Sequence, residues 1–356
     1  MPGLSFRFKW LSFFACVGVL VIHGRSYLRL PHPGTSILVV QYFLAEALVR
    51  FAVPTFFVIS GYWWAKKWDG RVFLGYGALL KKKWGSLARP YLIWGALGAI
   101  LQFALVGLDN AITHQPLLAR TVFDTQGFWS ICDRIFGITL AGPHGNMPLW
   151  FLRQLILCFC FVPIVDFILQ IGRVLPLIIG LGLAAGGSFL PAIPHNPISL
   201  NCLGWFVLGA AICRIGLEKR RISMLTAVVS FFLWAGSSML IMMSMMKWLI
   251  ISPAIQTALM SFLAIFGMVF LWKMTECLSE RLMPKCAQNL FFVYCFHQFP
   301  AAFFIAAMHF LFNKSDWETH VSFFLSPVVT LLACYATDWM FHRYFPKVRL
   351  ILNGGR

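Results

Sequence analysis

Charge is scarce in this sequence, and acidic charge is scarcest. Asp, Glu, Lys and Arg make up only 12% of its 356 residues, against roughly 25% in an ordinary soluble domain. A soluble fold could not hide so much apolar surface beneath so few charges: 60% of the residues are hydrophobic and the mean hydropathy is +0.78. Disorder is excluded as well, because disordered chains are poor in aromatics and this one has 36 Phe and 14 Trp. No internal repeat is visible, which argues against a solenoid. The ten cysteines show neither zinc-finger spacing nor an extracellular disulfide pattern. Most fall inside apolar runs, as small buried hydrophobes do. The first apolar run is not followed by a small-x-small cleavage site, since His23-Gly24-Arg25-Ser26 is a poor one. It reads as an uncleaved helix.

What is present is a series of ten apolar stretches, near 10–27, 36–64, 91–108, 149–171, 174–190, 198–216, 225–245, 248–272, 289–312 and 321–341. Each is long enough, or nearly so, to cross ~30 Å of hydrocarbon as a helix. The fold class expected is therefore all-α: a polytopic integral membrane protein with about ten transmembrane helices, its 356 residues forming one transmembrane domain. The stretch 174–190 is short and glycine-rich, so a re-entrant segment is an alternative there. The net charge of +17 fits this topology. If the N-terminus is cytoplasmic, 21 of the 29 basic residues fall on inner segments and six on outer ones. Arg50 and Arg153 lie within spans. That asymmetry places both termini in the cytoplasm and removes the need to invoke nucleic acid as a partner. Membrane lipids are the expected surroundings.

Two segments between spans are long enough to matter. Residues 65–90 form a basic inner loop with Lys81-Lys82-Lys83-Trp84. It reads as an interfacial helix anchored by Trp and Lys, or as a docking surface for phosphates. Residues 109–148 form the longest outer loop, ending in the turn-rich Gly142-Pro143-His144-Gly145-Asn146-Met147-Pro148. A loop of this length often covers a site.

Titratable groups at membrane depth are costly, so each needs a partner or a task. His23 ends the first span, where a neutral imidazole can take a proton from a hydroxyl or simply sit at the interface. Glu46 and Arg50 share a helix face at i, i+4, as an ion pair that lets the span insert. Pro54 has no N–H for the Arg50 carbonyl and is expected to kink the helix there. Ser60 lies further along the same span. Trp150 and Arg153 open the fourth span, as a belt aromatic and a snorkelling cation. His297 precedes Pro300, which leaves the Phe296 carbonyl unpaired in the same way. His309 and Asp338, nearer span ends, are expected to snorkel or cap. Asp166 is expected to lie near Arg173. These residues predict a polar cavity among spans one, two, four and nine. A pump or channel could use the same groups.

The order of these patterns resembles the acyltransferase-3 family, bacterial inner-membrane enzymes related to polysaccharide O-acetyltransferases. The resemblance rests on the His that ends span one and on Arg50-Phe51-Ala52-Val53-Pro54-Thr55-Phe56-Phe57-Val58-Ile59-Ser60-Gly61-Tyr62. It continues through Lys81-Lys82-Lys83, Arg89-Pro90-Tyr91-Leu92-Ile93-Trp94 and Leu149-Trp150-Phe151-Leu152-Arg153. Leu203-Gly204-Trp205-Phe206-Val207-Leu208-Gly209 and Phe292-Val293-Tyr294-Cys295-Phe296-His297 complete it. It implies an O-acetyltransferase-like enzyme in the bacterial cytoplasmic membrane. Such an enzyme moves an acyl group, usually acetyl, from cytosolic acyl-CoA to a hydroxyl of a surface polysaccharide or lipid-linked sugar. Acetyl-CoA is then a donor substrate, with no bound cofactor and no metal. By resemblance His23 is the catalytic base. Arg50 and Arg153 are charge stabilisers or substrate contacts, Glu46 and Ser60 line the site, Asn146 and Trp150 contact the acceptor, and His297 lines the cavity. Lys82 and its neighbours suit the CoA phosphates. The family pattern has an Arg eleven positions before the histidine, where this chain has Ser12. Lys9, one helical turn earlier, is a substitute cation by position; Arg50 and Arg153 are others. Two rival readings are a transporter or flippase of a glycolipid or small solute, and a catalytically inactive member of the family. Neither the acceptor nor the oligomeric state is legible.

Overall fold

The computed structural model describes residues 3–30, 33–67, 72–113, 132–133, 135–137, 143–187, 199–279, 289–312 and 315–355. Most of the outer loop expected at 109–148 lies outside them, as do 68–71 of the basic inner loop. Among the described residues every regular element is helical: α1 Leu4–His23, α2 Thr35–Gln41, α3 Ala52–Lys66, α4 Val72–Lys83, α5 Arg89–Thr113, α6 Trp150–Cys160, α7 Val162–Gln170, α8 Leu175–Gly186, α9 Leu200–Ile215, α10 Met224–Met245, α11 Pro253–Met274, α12 Leu290–Phe296, α13 Gln298–Phe312, α14 Asp316–Tyr344 and α15 Pro346–Leu352.

All ten apolar stretches carry helix, but among the described residues fewer than ten qualify as spans by length and composition. Five helical segments do so: Leu4–His23, Thr35–Lys66, Met224–Met245, Pro253–Met274 and Asp316–Tyr344. The number reaches seven if α6 with α7, and α12 with α13, each count as one bent span. Of the remaining stretches, α8 has 12 residues and α9 has 16. At ~1.5 Å per residue, α8 is far short of ~30 Å of hydrocarbon.

The helices form two compact units. The first holds Met1–Val72, Val162–Pro191 and Ser199–Thr337. Its tightest packing is backbone on backbone, because glycine takes the contact positions. A Cβ on Gly61 of α3 would strike the Phe206 carbonyl of α9, and one on Gly209 of α9 would strike the Val58 carbonyl of α3. Gly180 of α8 meets the backbone of Leu208, and Gly204 of α9 meets Leu183 and Ala184. The glycines of the short 174–190 stretch thus let α8 lie against α9. Lys9 is exposed, whereas Arg7 is buried. The Arg7 guanidinium donates to the Thr275 hydroxyl at 3.0 Å and the Trp272 carbonyl at 2.8 Å, and pairs with Glu276 at 3.2 Å. It lies 3.9 Å over the Trp272 ring. A cation there also suits the C-terminal dipole of α11.

The second unit is built from Phe73–Phe161 and Asp338–Arg356. Gly98 of α5 touches the backbone of Gly145, where neither position has room for a side chain. Trp94 donates to the Leu352 carbonyl at 3.2 Å. Arg349 grips Asp338 with two parallel bonds of 2.8 and 2.9 Å. Asp338 was expected to snorkel or cap; it is half of this fork.

Candidate active site

The second apolar stretch is not one continuous α-helix. After α2 the chain widens into a π-helical turn over Tyr42–Ala47, then tightens into a 3-10 turn over Leu48–Phe51. Ala47 leaves helical geometry, with φ −124° and ψ −73°. Regular helix resumes at Ala52, so Pro54 is the third residue of α3. There its missing N–H is no loss, because the first turn of a helix has spare donors. The break therefore lies before Pro54. Backbone groups freed at membrane depth must find partners, and Trp234 of α10 donates to the Leu48 carbonyl at 2.9 Å.

The ninth stretch breaks by the same rule. α12 and α13 meet at 51°, and Pro300 is the third residue of α13. His297 sits in the joint, fully buried. Its Nδ1 lies 2.7 Å from the Tyr294 carbonyl and 3.2 Å from that of Val293. A carbonyl only accepts, so Nδ1 carries the proton and Nε2 presents a lone pair.

These two breaks flank the end of α1. The rings of His23 and His297 are 4.9 Å apart at 61°, with His23 half-buried in front of the buried His297. Two residues later Arg25 donates to Glu46 Oε1, and Arg50 donates to Oε2 of the same carboxylate. The Tyr27 hydroxyl adds a third bond, 3.1 Å from Oε1. Burial pushes the Tyr27 phenol up from its usual range, which keeps it a donor. Glu46 is 5% exposed and thus a buried anchor for two cations. Their sum is one surplus positive charge, within Coulomb range of the His23 imidazole. A neutral proton acceptor beside a fixed positive charge can deprotonate a hydroxyl and stabilise the oxyanion that follows.

Four of the residues named from sequence meet here: His23, Glu46, Arg50 and His297. Ser60 lies ten residues beyond Arg50 on α3, so about 15 Å along the axis. Lys9 lies fourteen residues before His23 on α1, about 21 Å away by the same rise. Ser12, where the family pattern has Arg, donates to the Phe8 carbonyl of its own helix at 2.8 Å. The cation that α1 supplies to this cluster comes from Arg25, just past the helix end. In the sequence alone Arg25 reads as one of the six outer basic residues. Asn146, Trp150, Arg153 and Lys82 belong to the second unit. There Asn146 is buried, Trp150 and Arg153 are half-buried, and Lys82 is exposed on α4. Arg153 donates to the Gly137 carbonyl. Asp166 takes Gln170 rather than Arg173 as its hydrogen-bond partner, at 3.0 Å.

Apolar helices thus bring together two guanidiniums on one buried carboxylate and, near them, a pair of histidine rings. The profile of the acyltransferase domain family matches residues 7–339. The chain belongs to this family, acyltransferase-3. It is 29% identical over 155 residues to the succinoglycan biosynthesis protein ExoH of Rhizobium meliloti (strain 1021), covering 41% of this chain and 40% of that protein. The match thus spans less than half of either chain. No solved structure matches.

Proposed function

We propose that this protein transfers an acyl group, acetyl in the simplest case, from acyl-CoA to a hydroxyl of a polysaccharide or its lipid-linked precursor. The observation that carries the reading is the placement of His23 beside two guanidiniums held by Glu46. Its match to a succinoglycan biosynthesis protein supports a polysaccharide acceptor. His23 takes the proton of the acceptor hydroxyl as its oxygen attacks the thioester carbonyl. Arg25 and Arg50 stabilise the resulting oxyanion. The intermediate then collapses, the carbon–sulfur bond breaks, and the His23 imidazolium returns its proton to the CoA thiolate. His297, with Nδ1 bound to backbone, backs the His23 ring. The basic asymmetry of the sequence supports cytoplasmic termini in a bacterial inner membrane. On that reading acyl-CoA reaches the protein from the cytosol.

The test is the melting temperature of the detergent-solubilised protein titrated with acetyl-CoA and with free CoA. A ligand that binds only the folded state raises stability by about 2.7 kcal/mol at a hundred times its Kd. A saturable shift that needs the CoA moiety supports the reading. No shift at millimolar acetyl-CoA, in protein that melts cooperatively, contradicts it.

A further inference from the structure

Ser26 is the most thoroughly tied residue near the site, and it touches none of the proposed reacting groups. It is fully buried, and each of its polar groups has a partner. Its N–H donates to Gln41 Oε1 at 3.0 Å. Its hydroxyl donates to the Thr319 carbonyl and accepts from Gln41 Nε2, both at 2.7 Å. Its carbonyl faces His309 Nε2 at 3.4 Å. Gln41 also takes the N–H of Tyr27, at 3.3 Å. One side chain therefore chelates two successive amides and a hydroxyl.

The far side of this knot is a buried pair. His309 Nδ1 lies 2.8 Å from Glu318 Oε2, with His309 4% exposed and Glu318 fully buried. The Ser26 carbonyl can only accept, so Nε2 carries a proton. The second proton of the pair lies between Nδ1 and Glu318. A pair like this in an apolar interior contributes little net stability, and fixing a geometry is one reason to retain it. What it fixes follows from the sequence. Ser26 stands next to Arg25 and three residues after His23, on the turn that follows α1.

We infer that Gln41, backed by the His309–Glu318 pair, is a positioning device for the proposed acyl transfer: it clamps the turn at Ser26 so that Arg25 reaches Glu46. The inference rests on the reading of His23 as the base. Gln41 touches no reacting atom, so its loss acts on turnover through Arg25. A displacement of about 1 Å at a reacting group can cost on the order of a hundredfold in rate.

The test uses full-length protein in liposomes. Thiol release from acetyl-CoA is followed with polysaccharide from a strain lacking the gene as acceptor. Gln41→Leu keeps the volume and removes all three bonds; Gln41→Glu keeps the two bonds to backbone N–H and loses the one to the Ser26 hydroxyl. The expected result is kcat lowered about 10- to 100-fold in Gln41→Leu, with an intermediate value in Gln41→Glu and KM for acetyl-CoA unchanged in both. Gln41→Leu combined with Arg25→Ala is expected to be no slower than Arg25→Ala alone, because both act through one contact. If Gln41→Leu cannot be purified folded, Gln41→Glu with Arg25→Ala makes the same comparison. Wild-type kcat in a Gln41 variant, or losses that multiply in the double variant, would overturn this inference while an inactive His23→Ala leaves the acyl-transfer reading standing. Full turnover in His23→Ala would overturn both.

Discussion

Arg25 lies beyond the end of α1 and donates to Glu46, 21 positions away, on the carboxylate that also holds Arg50. Two cations of the same sign are brought together only because one buried anion lies between them. The remainder is one positive charge.

Removing that anion therefore does more than remove one bond. Glu46→Ala is expected to lower the melting temperature, because Arg25 and Arg50 lose the carboxylate that lies between them, and to abolish acyl transfer. The double variant Glu46→Ala/Arg50→Ala is expected to recover part of the melting temperature and none of the activity. Thermal melts in detergent check the first claim. A double variant that melts lower than Glu46→Ala would show that the guanidiniums do not repel.

Trp234 donates to the break in the second span. Trp234→Phe keeps most of the ring packing against Phe51, whose centroid is 5.5 Å away, and leaves the Leu48 carbonyl without its donor. A loss of about 1 kcal/mol is expected for one buried hydrogen bond removed. A melting temperature equal to wild type would mean that the carbonyl has another partner.

Glycine substitutions separate contact from propensity. Gly61→Ala and Gly209→Ala push a methyl group into the carbonyls of the facing helix, and overpacking costs about 1–3 kcal/mol. Gly75→Ala, in α4, meets nothing within 4 Å, so it is expected to be neutral or to stabilise by about 0.5–1 kcal/mol. Melting curves of the three variants side by side test the ranking.

How far the sequence discloses this site follows from the cost of polarity in an apolar run. His23, Glu46, Arg50 and His297 stand out because each interrupts a hydrophobic stretch, and the prolines at 54 and 300 mark the two breaks to within a turn. The breaks fall one turn earlier than the prolines suggest, because the ring is accommodated where a helix begins. Arg25 and Arg7 are not legible in this way. At the end of a run, a basic residue looks like a topology signal, and burial against Glu46 or Trp272 is a long-range fact. His309 shows the same limit. Its place near a span end suggests snorkelling, yet it is buried against Glu318 and Ser26, the latter 283 positions away. Span number is partly disclosed as well: periodicity finds the helices, but the glycines that let α8 and α9 pack do not announce that these helices are short.

In the proposed mechanism His23 moves the proton in acyl transfer. The most direct measurement is the acyl-ester content of the surface polysaccharide, read by proton NMR. It compares a strain lacking the gene with the same strain carrying the wild-type protein or His23→Ala at matched membrane levels. The account predicts esters restored by the wild type and absent with His23→Ala, as removal of a general base costs about a hundredfold or more. Ester content with His23→Ala equal to that with the wild type would contradict it.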